Sequence, residues 1–245
     1  MGRSLSVQDL SAYERDGYLA YDRLLSEREV DALVTRIEHY VAHPKEGIRI
    51  QVEPVVQQGR AQAVRPIDGI RKIEKLVEND DLYLGLAKHP GILPRIQDIL
   101  GEPVRIFRDA LMMKPAGLGS AKPYHQDSAY WSIDPMTLCS IWVAMEDATV
   151  ENGCMRVIAG SQHDGVIEHK HLEDFMVTDD HIDYSKEVTV PLHKGGVLFF
   201  HSLLLHATSP NTSDKSRRAM VVSYMGAHHK WTGKPDEEPK WLVVS

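Results

Sequence analysis

Apolar residues in the first hundred positions recur mostly at the three- and four-residue spacing of an amphipathic helix. Ser6 can cap the first helix, and Gly17 follows it as a stop. Ser26 and Glu29 form a capping box for the second helix, which Pro44 cannot continue. The spacing predicts helices over residues 6–15, 26–43, 80–88 and 90–100, and a strand-like, then irregular stretch over 48–70.

After Pro103 the pattern changes to the twofold alternation that is typical of β-strands. Turn-forming sequences such as Asn152-Gly153 and Lys194-Gly195-Gly196 separate the alternating runs. Helices first and antiparallel strands afterwards predict a mainly β fold, in which flanking helices buttress a β-sandwich core. The predicted strands cover residues 104–114, 137–146, 153–158, 187–192, 197–201 and 218–224.

No repeat or linker interrupts the chain, so we predict one domain over residues 1–245. Within it, the helical part extends to about residue 103 and the β core from about 104 to 226. The stretch from 165 to 186 is long, polar and rich in His and Asp. Loops of that length are usually lids, binding loops or mobile segments, and the sequence does not choose among them.

The composition, 42% hydrophobic and 26% charged, is that of a soluble globular protein. Acidic residues outnumber basic ones, 35 to 28, which argues against binding nucleic acid through its phosphates. Apolar runs are too short to cross a membrane, and the match of Gly2 and Ser6 to a myristoylation pattern is loose. Cys139 and Cys154 lie in apolar strand-like runs, which predicts buried reduced thiols and favours a cytoplasmic protein.

Two histidines and an aspartate are the strongest candidates for chemistry. Asp127 lies two residues after His125, and such positions on an extended strand project from the same face. His206 would arrive from a distant strand and complete a set of two imidazoles and one carboxylate. This set can hold a divalent iron and leave its other side open, and without a thiolate it suits iron(II) better than structural zinc.

Arg217 follows His206 after a turn-forming stretch, residues 209–214. We predict a hairpin in which His206 ends one strand and Arg217 opens the next, with the two side chains close together. The guanidinium could pair with the far carboxylate of a keto acid bound to the metal, and Thr208 could donate a further hydrogen bond. These residues predict an iron(II) and 2-oxoglutarate dependent oxygenase that uses O2 on a small molecule.

The chain also resembles the phytanoyl-CoA hydroxylase superfamily of iron(II)/2-oxoglutarate oxygenases. The resemblance is close over residues 100–225, and it implies a double-stranded β-helix, a cupin-like jelly roll whose mouth holds the iron. The segments that carry it are Tyr124-His-Gln-Asp127 with Tyr130-Trp131, residues 141–154, 155–161, and 196–201 through Arg218-Ala219.

By the same resemblance His125, Asp127 and His206 are similar to the family's metal triad, and Arg217 with Thr208 to its 2-oxoglutarate anchor. Two further cosubstrate residues are implied, namely Trp142 and Lys72. The family's halogenases lack the metal aspartate, so Asp127 argues against halogenation. Ala159 stands where the family usually has a proline, which bears on loop conformation.

Alternatives stay open for the ligands. His125 and Asp127 alone could be a structural hydrogen-bonded pair. His201 is a rival to His206 as the third ligand. His169 and His171, on the polar loop, are either metal ligands or solvated residues.

Alternatives also remain for the pocket and for the function. Trp142 is either a pocket or a core residue, Lys72 a ligand or a solvated helix charge, and Tyr130 and Trp131 contact substrate or cover the site. A silent metal-binding or sensing protein of this fold, or a cupin-type metal enzyme without a keto acid, are the competing functions. Positive charge near the mouth could come from Arg105, Arg108, Lys114, Lys122 and Arg156.

Overall fold

The structure, a computed structural model, describes residues 3–172 and 174–245, so Gly2 of the myristoylation pattern lies outside the described residues. No helix among these residues is both long and apolar enough to cross a membrane. The helices are Val7–Asp16 (α1), Glu27–Ala42 (α2), Pro54–Gln57 (α3), Asp81–Ala87 (α4) and Leu93–Leu100 (α5).

The predicted helix signals act as expected. The Ser6 side chain accepts a hydrogen bond from the backbone of Asp9, whose carboxylate accepts one in return, and Gly17 ends α1 in the left-handed conformation with φ of 82°. Ser26 and Glu29 form the same reciprocal box at the start of α2. These contacts satisfy backbone N–H groups that a helix end leaves free, so both helices begin where the sequence predicts.

The strands of the described residues form two facing sheets and two short ribbons. In chain order they are Tyr18–Tyr21 (β1), Arg49–Val52 (β2), Ile70–Glu74 (β3), Val104–Lys114 (β4), Lys122–His125 (β5), Ile133–Asp134 (β6), Cys139–Ala144 (β7), Met155–Ile158 (β8), Lys170–His171 (β9), Phe175–Met176 (β10), Glu187–Val190 (β11), Val197–His201 (β12), His206–Thr208 (β13), Arg217–Gly226 (β14), Lys230–Trp231 (β15) and Leu242–Val243 (β16).

The larger sheet, called sheet I, has the order β1-β12-β7-β14-β4-β3-β2, and β16 pairs with β4. The smaller sheet, called sheet II, has the order β11-β8-β13-β5. All of their pairings are antiparallel, and strands distant in sequence alternate as neighbours. This is the double-stranded β-helix that the resemblance implies, and the predicted mainly β fold is confirmed.

Alternation along β7 divides the core into two layers. Ile141 and Val143 pack with the helices on the outer face of sheet I, whereas Trp142 packs between the sheets with Phe200 and Val157. The predicted burial of both thiols is confirmed, because Cys139 and Cys154 are free and buried.

The N-terminal part contributes more than helices. Strands β1 and β3 were not predicted, yet they join sheet I beside β12 and β4. Lys72 therefore lies on a strand, and the helix considered for it is wrong. These short segments become strands because they pair with β12 and β4. Four or five residues alone carry too little periodicity to predict a strand.

Two local predictions around the site are also wrong. His125 ends β5 and Asp127 begins a 3-10 turn, so the pair does not share an extended strand. His206 begins β13 rather than ending a strand, and β13 lies in sheet II whereas Arg217 opens β14 in sheet I. The two residues thus face each other from opposite sheets instead of standing on one hairpin.

Candidate metal centre

Three side chains converge where β5 and β13 meet the turn that follows β5. One carboxylate oxygen of Asp127 lies 3.7 Å from Nε2 of His125 and 3.8 Å from Nε2 of His206. Their potential ligand atoms all lie within 4.8 Å of one another, and both histidines are buried. Two nitrogens and one oxygen at this separation could hold a divalent ion and leave one side of it open.

The backbone fixes how both imidazoles are presented. Nδ1 of His125 lies 2.9 Å from the carbonyl oxygen of Pro123, and Nδ1 of His206 lies 2.9 Å from that of Leu204. A carbonyl oxygen can only accept, so Nδ1 of each ring is the donor in these contacts, and Nε2 is the ring nitrogen turned towards Asp127. Burial, followed by the proximity of His206, holds the pKa of His125 well below its usual value, which favours the neutral form that binds metals.

Gln126 lies between His125 and Asp127 in the sequence, is fully buried, and positions the turn that follows β5. Its side-chain nitrogen donates to the carbonyl oxygens of Gly165 (2.7 Å) and Leu203 (2.8 Å), and its side-chain oxygen accepts from the Ile167 backbone. The amide thereby ties the β5 turn both to the chain just before His206 and to the 165–186 loop. The sequence analysis missed this role, and the run His-Gln-Asp contains no signal for it because its partners are distant.

Arg217 faces this centre from sheet I and is 2% exposed. Its guanidinium lies 5.4 Å from the Trp142 ring, and one terminal nitrogen donates to the Met112 carbonyl at 3.3 Å. Its Nε is buried and has no hydrogen-bond partner among the described residues, nor does a carboxylate pair with it there. Burial lowers its pKa to about 10, so it stays charged at neutral pH.

Lys114 is a second buried cation, and it is the register partner of Arg217 across β4 and β14. Its ammonium donates to the Ser120 carbonyl oxygen. Burial, and then the charge of Arg217, lower the pKa of Lys114 to about 7. A dianion placed between the sheets would stabilise the charged forms of Lys114 and Arg217 and so raise the pKa of each.

A cavity of about 390 Å³ separates the sheets and joins these features. His125, Asp127, His206 and Arg217 all line it. Every other site residue predicted from the sequence also contributes to its wall, namely Thr208, Trp142, Lys72, Tyr130 and Trp131.

Lys72 and the two aromatic residues lie towards the cavity mouth. The ammonium of Lys72 pairs with Glu74 at 2.6 Å, and Tyr130 packs edge-on against His125 with ring centroids 5.9 Å apart. Trp131 packs against Phe107, with centroids 4.8 Å apart. Of the cations considered for the mouth, Arg108, Lys114 and Lys122 line the cavity; the sequence missed Arg71, which also lines it.

The rival ligands have other partners. Nδ1 of His201 accepts a hydrogen bond from the Leu203 backbone, and its ring packs towards Tyr13 on the helical side. His169 is half-buried, accepts from the Gln126 backbone at 2.9 Å and stacks on a phenylalanine, so it is not the solvated residue considered. His171 is exposed.

Comparison with known proteins agrees with this geometry. The sequence model of the family described as phytanoyl-CoA dioxygenase matches residues 13–219. The chain is 29% identical over 237 residues to L-proline trans-4-hydroxylase from Streptomyces griseoviridis, covering 86% of this chain and 83% of that protein. It is 28% identical over 265 residues to phytanoyl-CoA dioxygenase domain-containing protein 1 from Danio rerio, with 90% of each covered.

Solved structures show the same architecture. The non-heme alpha ketoglutarate dependent carbocyclase SnoK from nogalamycin biosynthesis has a TM-score of 0.76 and 25% identity, with 100% of both chains covered. EctD from S. alaskensis, solved with 2-oxoglutarate and 5-hydroxyectoine, has a TM-score of 0.79 at 20% identity, covering 99% of this chain and 85% of that one. The likeness to EctD is evidence for the jelly-roll fold alone.

Proposed function

Since the chain belongs to the phytanoyl-CoA dioxygenase family, whose members depend on iron and 2-oxoglutarate, we propose that it hydroxylates an unactivated C–H bond of a small molecule. In this reaction O2 is consumed, 2-oxoglutarate becomes succinate and CO2, and the substrate gains a hydroxyl group. The similarity to a proline hydroxylase over most of both chains supports this class of reaction.

The environment of Arg217 is the observation that carries the proposal. A buried guanidinium costs free energy unless an anion accepts its hydrogen bonds, and Nε of Arg217 has no such partner among the described residues. It lines the same cavity as the three convergent side chains. A dicarboxylate that reaches from the metal to Arg217 would satisfy both ends, and this explains the arginine better than a keto-acid-free metal enzyme does.

The residues then take the following roles. His125, Asp127 and His206 hold the iron, and Arg217 binds the far carboxylate of 2-oxoglutarate with help from Thr208. Trp142 keeps the guanidinium in place through its ring face. Lys72 lines the same cavity, but its ammonium pairs with Glu74, so a cosubstrate contact would require it to exchange that partner.

When bound, iron(II) and 2-oxoglutarate supply the oxidising chemistry with O2. The chain orients these groups and the substrate and excludes water from the cavity. Tyr130 and Trp131 stand at the mouth, where a substrate would enter. Tyr130 is 43% exposed, so part of its surface is available to a ligand. We propose that both aromatic residues contact the substrate.

Anaerobic addition of iron(II) and 2-oxoglutarate tests the function. We expect a visible charge-transfer band, and in air the loaded protein should release succinate in proportion to O2 consumed. A metal-binding or sensing protein would bind iron without producing succinate. A cupin-type enzyme would turn over without 2-oxoglutarate. Either of those results contradicts the proposal.

A further inference from the structure

The mouth of the cavity has an excess of positive charge. Four partly exposed cations line it, and we call them the rim cations: Arg71, Lys72, Arg108 and Lys122. Among the described residues they pair with only two carboxylates, Glu74 and Asp174. The full chain carries a net charge of −7, so this local surplus runs against the overall balance. A mouth of this sign attracts anions.

Two of the rim cations already hold a carboxylate between them. One oxygen of Asp174 lies 2.9 Å from the ammonium of Lys122 and 3.8 Å from the guanidinium of Arg71. Arg71 belongs to β3 of sheet I and Lys122 to β5 of sheet II. The carboxylate therefore bridges the two sheets at the opening.

That carboxylate comes from the 165–186 loop, and its other oxygen accepts a hydrogen bond from the Phe175 backbone at 2.8 Å. Among the described residues, the strands beside it, β9 and β10, pair through two residues each. Tyr130 donates a hydrogen bond to the Phe175 carbonyl oxygen at 2.7 Å. An ion pair that remains partly exposed contributes little stability, so another carboxylate can take the place of Asp174 at small cost.

Tyr130 lies between Lys122, which binds the Asp174 carboxylate, and His125, one of the proposed metal ligands. Its hydroxyl oxygen lies 3.0 Å from the ammonium of Lys122, and its ring centroid lies 5.9 Å from that of His125. A carboxylate at Lys122 would therefore be separated from His125 by about the length of one tyrosine side chain. The remainder of a small molecule would extend along Tyr130 towards the iron.

We propose that Arg71 and Lys122 form the binding site for a carboxylate of the substrate, which Asp174 occupies until substrate replaces it. The substrate class is therefore small carboxylic acids. This inference rests on the proposed function and adds the chemical group by which substrate is held. A cavity of about 390 Å³, part of which 2-oxoglutarate needs, favours a compact acid.

Matched pairs of acids and amides test the inference, since each pair differs in charge but hardly in shape. Suitable probes are hexanoate with hexanamide, phenylacetate with phenylacetamide, and a cyclic amino acid with its amide. Binding is measured without O2 on the protein loaded with cobalt(II) and 2-oxoglutarate, through quenching of tryptophan fluorescence. Stimulated succinate formation is measured in air with iron(II). We expect at least one acid to bind about tenfold more tightly than its amide and to stimulate turnover more.

Three variants locate the carboxylate. Lys122→Gln and Arg71→Gln should each reduce the preference for the acid about tenfold, whereas Asp174→Asn should tighten acid binding about threefold. Lys75→Gln is the matched control, because Lys75 pairs with Glu78 and does not line the cavity. Thermal unfolding of all four variants checks that they fold.

Several outcomes overturn the inference. They are equal binding of acids and amides, no binding of any acid, an acid preference that survives Lys122→Gln, or inorganic phosphate competing more strongly than the acids. If the charge-transfer band of iron(II) with 2-oxoglutarate forms but these results appear, only the carboxylate site is wrong. If the band itself does not form, the proposed function is wrong and this inference falls with it.

Discussion

His125 and His206 are cross-strand partners in sheet II, with ring centroids 4.2 Å apart. Direct partners on one face of a sheet bring their side chains together, so this pairing alone places two of the three proposed ligands. Asp127 reaches them from the turn that follows His125. A register shift of one residue would send either imidazole to the opposite face and dismantle the set.

Removal of one imidazole should weaken metal binding strongly. His206→Ala leaves one nitrogen and one carboxylate, and we expect affinity for cobalt(II) or iron(II) to fall about 100-fold or more, because loss of a mere supporting hydrogen bond already costs 10- to 100-fold. Anaerobic titration followed by the cobalt absorption band measures it. His201→Ala is the control, since His201 packs towards Tyr13 instead. Equal losses in both variants would refute the ligand assignment.

Arg217→Met should raise the KM for 2-oxoglutarate about 30-fold or more, equivalent to about 2 kcal/mol for the lost charged hydrogen bonds. Steady-state succinate formation over a range of 2-oxoglutarate concentrations gives this value. Arg218→Met is the neighbouring control, because Arg218 pairs with Glu146 and points away from the cavity. We expect its KM for 2-oxoglutarate to change less than about threefold. If the KM of Arg218→Met for 2-oxoglutarate rose as much as that of Arg217→Met, the effect would come from a general loss of positive charge.

Gly153→Ala should destabilise the fold by about 2–4 kcal/mol, because two costs combine. Gly153 has φ of 85°, which alone costs an alanine about 1–2 kcal/mol, and the added Cβ would overlap the Ser209 carbonyl oxygen. Gly59→Ala separates these costs, since Gly59 has φ of 69° with open space around its Cβ position. Denaturant unfolding should show a clearly smaller loss for Gly59→Ala. Similar losses at both sites would mean that the overlap is relieved.

Asp109 should make stability depend on pH. Burial raises the pKa of this carboxyl from 3.8 to about 6, although the Leu76 backbone donates to it at 2.8 Å. The folded chain therefore holds more protons than the unfolded chain between pH 3.8 and 6, and this contribution to stability is lost as pH rises through that window.

Asp109→Asn removes this titration while its side-chain oxygen can still accept from Leu76. Between pH 5 and pH 8 the variant should gain about 1.4 kcal/mol relative to the wild type. Urea unfolding of both proteins at the two pH values measures the difference. A pH-independent difference would show that Asp109 titrates normally.

Part of the site could be predicted from the sequence because it depends on residues that are close together in the chain. The two-residue spacing of His125 and Asp127 keeps their side chains close whether the backbone is a strand or a turn, so they lie together although the predicted strand is wrong. That they share an ion stays a prediction. Alternation along β7 puts Trp142 on the face opposite Ile141 and Val143, and only the tertiary structure decided that this face lies between the sheets.

The hairpin predicted for His206 and Arg217 is wrong, although both residues line the same cavity. A short connection usually joins neighbouring strands of one sheet, but the connection between β13 and β14 crosses from sheet II to sheet I. Gln126 and Asp174 carried no signal in the sequence, because each matters through partners that are remote in sequence. Lys114 was a candidate only for charge at the mouth, and its burial as the register partner of Arg217 was not predicted.

Residue types, capping signals and hydrophobic period sufficed for α1, α2, α4 and α5, for the six predicted strands of the β core and for the kind of metal chemistry, since each depends on neighbours within a few positions. Tertiary structure decided which strands face one another, which cation lies buried beside Arg217, and which pair at the mouth holds a carboxylate. Those contacts arise from the crossing of the chain between two sheets, and a twofold alternation reads the same whichever sheet a strand joins.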